Sequence, residues 1–253
     1  IGLFGADSGI LIPGNLFNPN YQPAYEAYFT ANYKQSGKAW ERNVNAQYFN
    51  KKGKHEFNID AGLRVHGAHT RTFNTKSLRL YFRSEYGKST LDHKIFWNSE
   101  TDKFKRIILR NAGNDCSDAF IRDAFAQSLI DNEEQFTQKY QATNVFLNGE
   151  YWGILNIRER IDKHYFETKY NIPEDSIDFL ESGQDSIEED TKEWTKVTNY
   201  MWGHKLDSDE NYNEFKDFFD IDHFIDYHAF QFYVNNSDWP WNNVKYFRYK
   251  KPV

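Results

Sequence analysis

The sequence predicts an α+β fold in two lobes, with a β-rich part over about residues 1–160 and a helical part over about residues 161–253. Three observations predict it. Short runs before residue 160 alternate apolar with polar side chains, as in Leu63-Arg64-Val65-His66 and Ser77-Leu78-Arg79-Leu80-Tyr81-Phe82. An Asn148-Gly149 pair separates two apolar runs, which is the chemistry of a tight hairpin turn. After Ile161 apolar residues recur at three- and four-residue steps instead.

Along the chain, Ile10 to Phe82 reads as mainly β. Asn45–Phe49 and Phe57–Asp60 flank Lys51-Lys52-Gly53-Lys54, whose glycine and charges suit a turn. The loop Gly67–Thr75, rich in basic and small residues, joins the two alternating strands. Ile107-Ile108-Leu109 reads as a buried strand, and Ala119–Ile130 as a helix capped by Asp115 or Ser117. Its stripe Ile121, Ala124, Phe125 and Leu129 is expected to face the core. Asn144–Leu147 and Trp152–Ile157 form the second hairpin, and the acidic stretch Glu181–Glu193 reads as a surface insertion. The last helix, about Asp222–Val234, is expected to carry Phe224, Ile225 and Phe232 inward and to deliver Asn235-Asn236-Ser237-Asp238 to a loop. His228, on the same face, reads as a hydrogen-bonded core histidine.

The 253 residues are 39% hydrophobic and 27% charged, a globular balance, and 18% aromatic, so rings supply much of the buried area. A net charge of -6 disfavours general affinity for a nucleic-acid backbone, which needs a surplus of Lys and Arg. Cys116 is the sole cysteine, which excludes a disulfide framework and a cysteine-based zinc site. No apolar run approaches the roughly 18 residues of a membrane span, and the opening residues lack signal-peptide order. Both ends read as cuts through a longer protein.

The residues able to do chemistry are few. Asp238 and Asn243 stand five apart between a helix and a strand, the spacing of a base that accepts a hydroxyl proton and an amide that holds a phosphate-bridging metal; a turn-capping Asp is the alternative. Lys76 opens the strand Ser77–Phe82 with Arg71 in the basic loop before it, a placement suited to neutralising phosphate oxygens or simply to a solvated strand edge. Arg64, His66 and Arg79 are placed to line the same cleft, without a ranking. Tyr151 or Trp152 offers a flat ring to a purine or to the core. Glu159, within Arg158-Glu159-Arg160-Ile161-Asp162, would either orient Lys76 or belong to a structural ion-pair cluster. His66 and His69 have no third ligand at metal spacing. There is no Gly-x-Gly-x-x-Gly, Walker loop or Gly-x-Ser-x-Gly, and no carboxylate pair is singled out for glycoside hydrolysis.

Several ordered motifs resemble the CotH kinase-like proteins, named for spore coat protein H. They are Arg64–Arg71 with Lys76–Leu80, then Arg122-Asp123, then Val145–Gly153 with Arg158–Asp162, and finally Asn235–Asp238 with Asn242-Asn243. The resemblance implies an atypical protein-kinase-like fold that binds ATP with Mg2+ or another divalent metal and phosphorylates Ser or Thr on protein partners. It makes Asp238 the catalytic aspartate, Lys76 the phosphate-binding lysine and Asn243, with Asp238, the metal ligand. Arg71, Tyr151, Trp152 and Glu159 fall on the nucleotide side. It also implies a later acidic Trp-Asp-x-Asp-like motif, so a single domain truncated before that motif is expected to fold without activity. A non-catalytic surface or adhesion module is the alternative, and a glycan-processing enzyme a third. The family leans toward a bacterial envelope protein.

Overall fold

The computed structural model describes residues 31–131, 135–181, 192–240 and 243–250. The chain divides into two compact units, the first made of Ile1–Ser128 with Gln138–Lys169 and the second of Leu129–Thr137 with Tyr170–Val253. An antiparallel sheet together with the helices makes the class α+β, as expected. Residues 10–30, read as β, lie outside the described residues.

The first unit is built on a sheet of six antiparallel strands. Its members are β1 (Arg42–Phe49), β2 (His55–Val65), β3 (Leu78–Tyr81), β6 (Arg106–Arg110), β7 (Tyr140–Leu147) and β8 (Glu150–Arg158), in the order β1-β2-β3-β6-β8-β7. Both hairpins form where turn chemistry places them. At the first, Asn50 Oδ1 accepts the backbone N–H of Lys52 (2.9 Å) and Lys54 (3.1 Å), and Gly53 takes φ 75°. At the second, Asn148 and Gly149 take φ 53° and 85°, the paired positive angles of a two-residue turn whose twist matches the strands.

Register then sorts the side chains. Leu63 faces Leu80, which faces Ile107, whereas Arg64 faces Arg79, which faces Ile108, which faces Arg158. Because successive side chains point to opposite faces, one face becomes apolar and the other arginine-rich. The apolar face, with Ala61, Leu63, Val65, Leu78, Leu80, Ile107 and Ile157, is buried. A segment that the sequence reading passed over covers it: β4 (Leu91–Asp92) pairs with β5 (Lys103–Phe104), and Leu91, Ile95, Phe96 and Phe104 join the core cluster.

Helix α1 (Arg122–Leu129) forms within the expected span and Asp115 caps it, accepting from the N–H of Ala119 (3.1 Å) and Arg122 (2.8 Å). The helix starts later than expected, just after Phe120 at φ 67°. The expected core stripe is corrected: Ala124 is buried, but Ile121, Phe125 and Leu129 are exposed. The helix is tied down by its polar side, through Asp123 to Arg158 and through Gln127, which accepts from the N–H of Gln138 at 2.7 Å. Helix α2 (Lys163–Tyr170) is capped by Asp162, whose Oδ1 accepts from the N–H of His164 (3.0 Å) and Tyr165 (3.2 Å).

In the second unit β9 (Ile177–Glu181) pairs antiparallel with β10 (Lys245–Tyr249). Three helices accompany them, α3 (Lys192–Gly203), α4 (Asp209–Lys216) and α5 (Ile221–Tyr233). Ser208 caps α4 and Asp220 caps α5 through side-chain oxygens. Of the expected acidic insertion, residues 182–191 lie outside the described residues and 192–193 open α3. The inward stripe expected on α5 is also corrected, since Phe224, Ile225 and Phe232 are exposed and Ile221 is buried. Phe224 instead meets the rings of Phe219 (5.2 Å) and His228 (3.8 Å) beside a groove of about 960 Å³ lined by Phe136, Trp194, Tyr227 and Tyr246 among others. His228 is half-buried rather than in a core, with Nδ1 2.8 Å from the Phe224 carbonyl.

Candidate functional site

Lys76 sits just before β3 and is buried, which is unusual for a lysine. Its Nζ donates to the Phe73 carbonyl at 2.8 Å and lies 4.4 Å from the centre of the Tyr33 ring. Burial lowers its pKa. The backbone on either side is fixed by Asn111, which donates to the Thr75 carbonyl (2.7 Å) and accepts from Ser77 Oγ (2.7 Å). The Trp152 indole N–H reaches the Lys76 carbonyl at 3.5 Å. Trp152 packs against the core cluster, whereas Tyr151, one residue earlier on β8, is exposed and meets the ring of Phe146 at 5.4 Å.

Arg71 serves the loop before Lys76. It donates to the Gly67 carbonyl and to the carbonyls of Gln35 (2.6 Å), Lys34 (3.3 Å) and Tyr33 (3.4 Å). Glu159 is buried; its Oε2 accepts from the N–H of Lys139 (2.9 Å) and lies 4.0 Å from Lys169 Nζ. The ammonium of Lys76 therefore meets a carbonyl and a ring, and the carboxylate of Glu159 meets two other lysines' groups.

The polar face of the sheet carries a cluster of arginines. Guanidinium groups of Arg64 (4.5 Å), Arg83 (4.9 Å), Arg106 (5.7 Å) and Arg79 (5.8 Å) surround the buried Tyr81 ring. Among the described residues four carboxylates answer them, Glu85 through Arg83 at 3.8 Å. Glu41, with its side chain wholly buried, takes Arg64 (2.7 Å), Arg83 (3.2 Å) and Lys38 (2.8 Å). Asp162 takes Arg106 (3.3 Å) and Arg160 (3.4 Å), and Asp123 takes Arg158 (2.8 Å) and Arg110 (3.5 Å). Burial pushes Tyr81 up, but Arg79, Arg64 and Arg160 outweigh it and leave its pKa lowered.

In the second unit the end of α5 builds a loop. Asn235 takes φ 49°, its N–H bonds to the Phe232 carbonyl (3.1 Å), and the N–H of Asn236 reaches back to the Gln231 carbonyl (3.1 Å). That is a Schellman cap, which ends the helix on a left-handed residue. Asn236 Oδ1 then accepts the N–H of Asp238 at 3.2 Å, and Trp239 anchors the loop by ring contacts with His228 (4.9 Å) and Phe232 (5.1 Å). Across the loop, Asn243, at φ 59°, donates its amide N–H to Asp238 Oδ2. The five-residue spacing thus brings the exposed carboxylate and the amide into contact.

A family model described as CotH kinase protein matches residues 63–252. The chain belongs to the CotH kinase family. No curated protein matches it. The CotH span begins inside β2 and takes in Lys76, Asp123, Arg158 and Asp238, while β1 and Glu41 precede it. No helix among the described residues is long and apolar enough to cross a membrane.

Within this CotH domain the structure joins Asp238 to Asn243 in one loop, and Lys76 to Trp152 through a backbone contact. Asn242 lies outside the described residues. The sequence reading missed Asn111 and Glu41, two buried polar side chains that organise Lys76 and the arginine face. For Arg79 the visible signal is arginine at alternate strand positions, Arg64 on β2 and Arg79 on β3.

Proposed function

We propose that the chain is a phosphoryl-transfer domain that moves the γ-phosphoryl group of ATP to a Ser or Thr hydroxyl of a protein partner. The observation that carries the reading is the loop after α5, where a Schellman cap presents Asp238 and Asn243 closes onto its carboxylate within the span matched by the kinase family. Asp238 takes the hydroxyl proton as the oxygen–phosphorus bond forms and the bond to ADP breaks, its electron pair leaving with the ADP oxygen. Lys76, held by Asn111 and desolvated, is the cation for phosphate oxygens, because a charge in a dry site acts more strongly than one in water.

The donor set fits a divalent metal of the magnesium type. Asp238 would supply one hard carboxylate oxygen and the Asn243 side-chain carbonyl, once its amide turns from its N–H bond to Asp238, a second; such ions use one or two carboxylates plus substrate phosphates. The metal, when bound, neutralises charge on the phosphates. Charge distribution supports the same reading. The sequence of the first unit has 23 Lys and Arg against 16 Asp and Glu, +7, and that of the second has 8 against 21, -13, which together give the net -6. A basic unit is the suitable partner for a polyanionic nucleotide. Trp152, on the carbonyl of Lys76, is the better placed of the two aromatic candidates for holding that lysine, and Tyr151 is the one with an exposed ring.

The test is incubation of a full-length form that carries the acidic motif implied by the resemblance with γ-labelled ATP and Mg2+ in the presence of a Ser-containing acceptor protein, with Asp238→Asn and Asn243→Ala alongside. Label transfer is expected in the parent and a loss of about a hundredfold or more in Asp238→Asn. Transfer that survives Asp238→Asn removes the aspartate from the mechanism. Absence of both transfer and nucleotide binding in the parent would favour a non-catalytic module that keeps the fold.

A further inference from the structure

Seven arginines share the neighbourhood of the sheet's polar face, Arg64, Arg79, Arg83, Arg106, Arg110, Arg158 and Arg160, and among the described residues their ion pairs go to four carboxylates, Glu41, Glu85, Asp123 and Asp162. Each carboxylate is already shared by two or more cations. Among the described residues Arg79 is the one member of the set with no carboxylate. Its Nη1 donates to the Tyr81 hydroxyl at 3.0 Å, its Nη2 meets His66 Nδ1, and its Nε is buried with no hydrogen-bond partner. Both of its acceptors are neutral groups. Arg79 is half-buried; even a partly desolvated guanidinium without an anion is costly, and so is a crowd of like charges.

We infer that this face is a built oxyanion site of the phosphate class, in which Arg79 meets the anion and His66 positions Arg79. The inference deepens the phosphoryl-transfer reading and rests on it only for a nucleotide as the source of the phosphate. Phosphate fits better than a single carboxylate, because the excess is of several positive charges and a guanidinium fork pairs two of its N–H groups with two phosphate oxygens. The neighbouring groups record the same positive field. Burial and then the charges of Arg79, Arg160, Arg110 and Arg71 hold His66 well below the usual histidine value, so it is neutral at pH 7 and accepts at Nδ1. Burial first, then Arg160, brings Arg79 down to about 10, which leaves it charged at neutral pH.

The experiment is titration calorimetry of the full chain, without metal, using inorganic tripolyphosphate, ATP and adenosine as probes. Tripolyphosphate and ATP are expected to bind, adenosine far more weakly, and Arg79→Gln to weaken both anions about tenfold or more. Arg79→Lys, which keeps the charge and loses the fork, is expected in between. ATP binding tighter than tripolyphosphate assigns the site to a nucleotide, and equal binding assigns it to free polyphosphate; both support the site. In phosphate-free buffer Arg79→Gln is expected to melt at or above the parent temperature, since it removes an uncompensated charge. Asp238→Asn is expected to keep anion binding, so a failed transfer assay and a failed anion site give different results. Tripolyphosphate binding by Arg79→Gln within about twofold of the parent, no binding by the parent, or a lowered melting temperature for Arg79→Gln overturns the inference.

Discussion

Replacing Asp123 by alanine should be among the most damaging single changes in the first unit. Arg158 is 1% exposed, and its Nη1 donates to Asp123 Oδ2 at 2.8 Å; Arg110 Nε lies 3.5 Å from the same oxygen. Gln127 donates to Oδ1 at 2.9 Å. Removal leaves the Arg158 guanidinium without its hydrogen-bonded anion; water reaches the 37%-exposed Asp123 side chain and screens part of the loss, so the cost is about 2–3 kcal/mol, and the lost Gln127 bond adds about 1 kcal/mol. At roughly 2–4 °C per kcal/mol the melting temperature should fall on the order of 10 °C. Urea denaturation followed by tryptophan fluorescence measures the loss. The sharper measurement is the cycle with Arg158→Met: the double variant should recover most of the deficit, because an apolar side chain in place of the orphaned cation removes the desolvation cost. A loss below about 1 kcal/mol in Asp123→Ala, or single effects that simply add, would refute the reasoning that the pair is one buried unit.

Gly62→Ala should destabilise the sheet by about 1–3 kcal/mol, because a Cβ there would run into the Glu41 side chain, 2.6 Å from its Cδ, and Glu41 is held by Arg64, Arg83, Lys38 and Tyr86; thermal melts check it. Asn235→Val should cost about 1–2 kcal/mol at the left-handed cap of α5, while Asn235→Gly should be tolerated, and urea melts of the two variants decide between a conformational and a side-chain role. Acid should destabilise the protein through two ion-paired carboxylates, the buried Glu41 and the half-buried Asp123. Burial pushes Glu41 and Asp123 up, but their basic partners outweigh it and leave both pKa values lowered. Their stabilisation is complete above the unfolded value of about 4 and is lost as pH falls through the lower folded values, so stability rises with pH across that window. Denaturation midpoints that do not change between pH 5 and pH 3 would contradict this.

Local chemistry was legible in the sequence and long-range pairing was not. The turns at Gly53 and Asn148-Gly149 and the alternation of β2 and β3 depend on neighbours in the chain, so they could be read from residues alone. The stripes on α1 and α5 show the limit of periodicity. It reports that a helix has an apolar side, but not which side is docked; α1 is tied down by Asp123 and Gln127, and that choice depends on Arg158 and Gln138 in strands and loops later in the chain. Asn111 and Glu41 looked like ordinary polar residues because their partners lie 34 and 23 positions away, at Ser77 and Arg64.

The arginine face follows the same logic one level up. Arg64, Arg79 and Arg158 each read as the polar half of an alternating strand, and each alone would be a solvated side chain. Antiparallel register sets Arg64 beside Arg79 and, through Ile108, in line with Arg158, so charges that are dispersed in sequence become one field. A one-residue slip of β3 would turn Arg79 into the apolar core and Leu80 out of it. The burial of Leu78 and Leu80 therefore enforces the convergence of cations on the opposite face, and the same hydrophobic pattern that folds the sheet also assembles its candidate phosphate site.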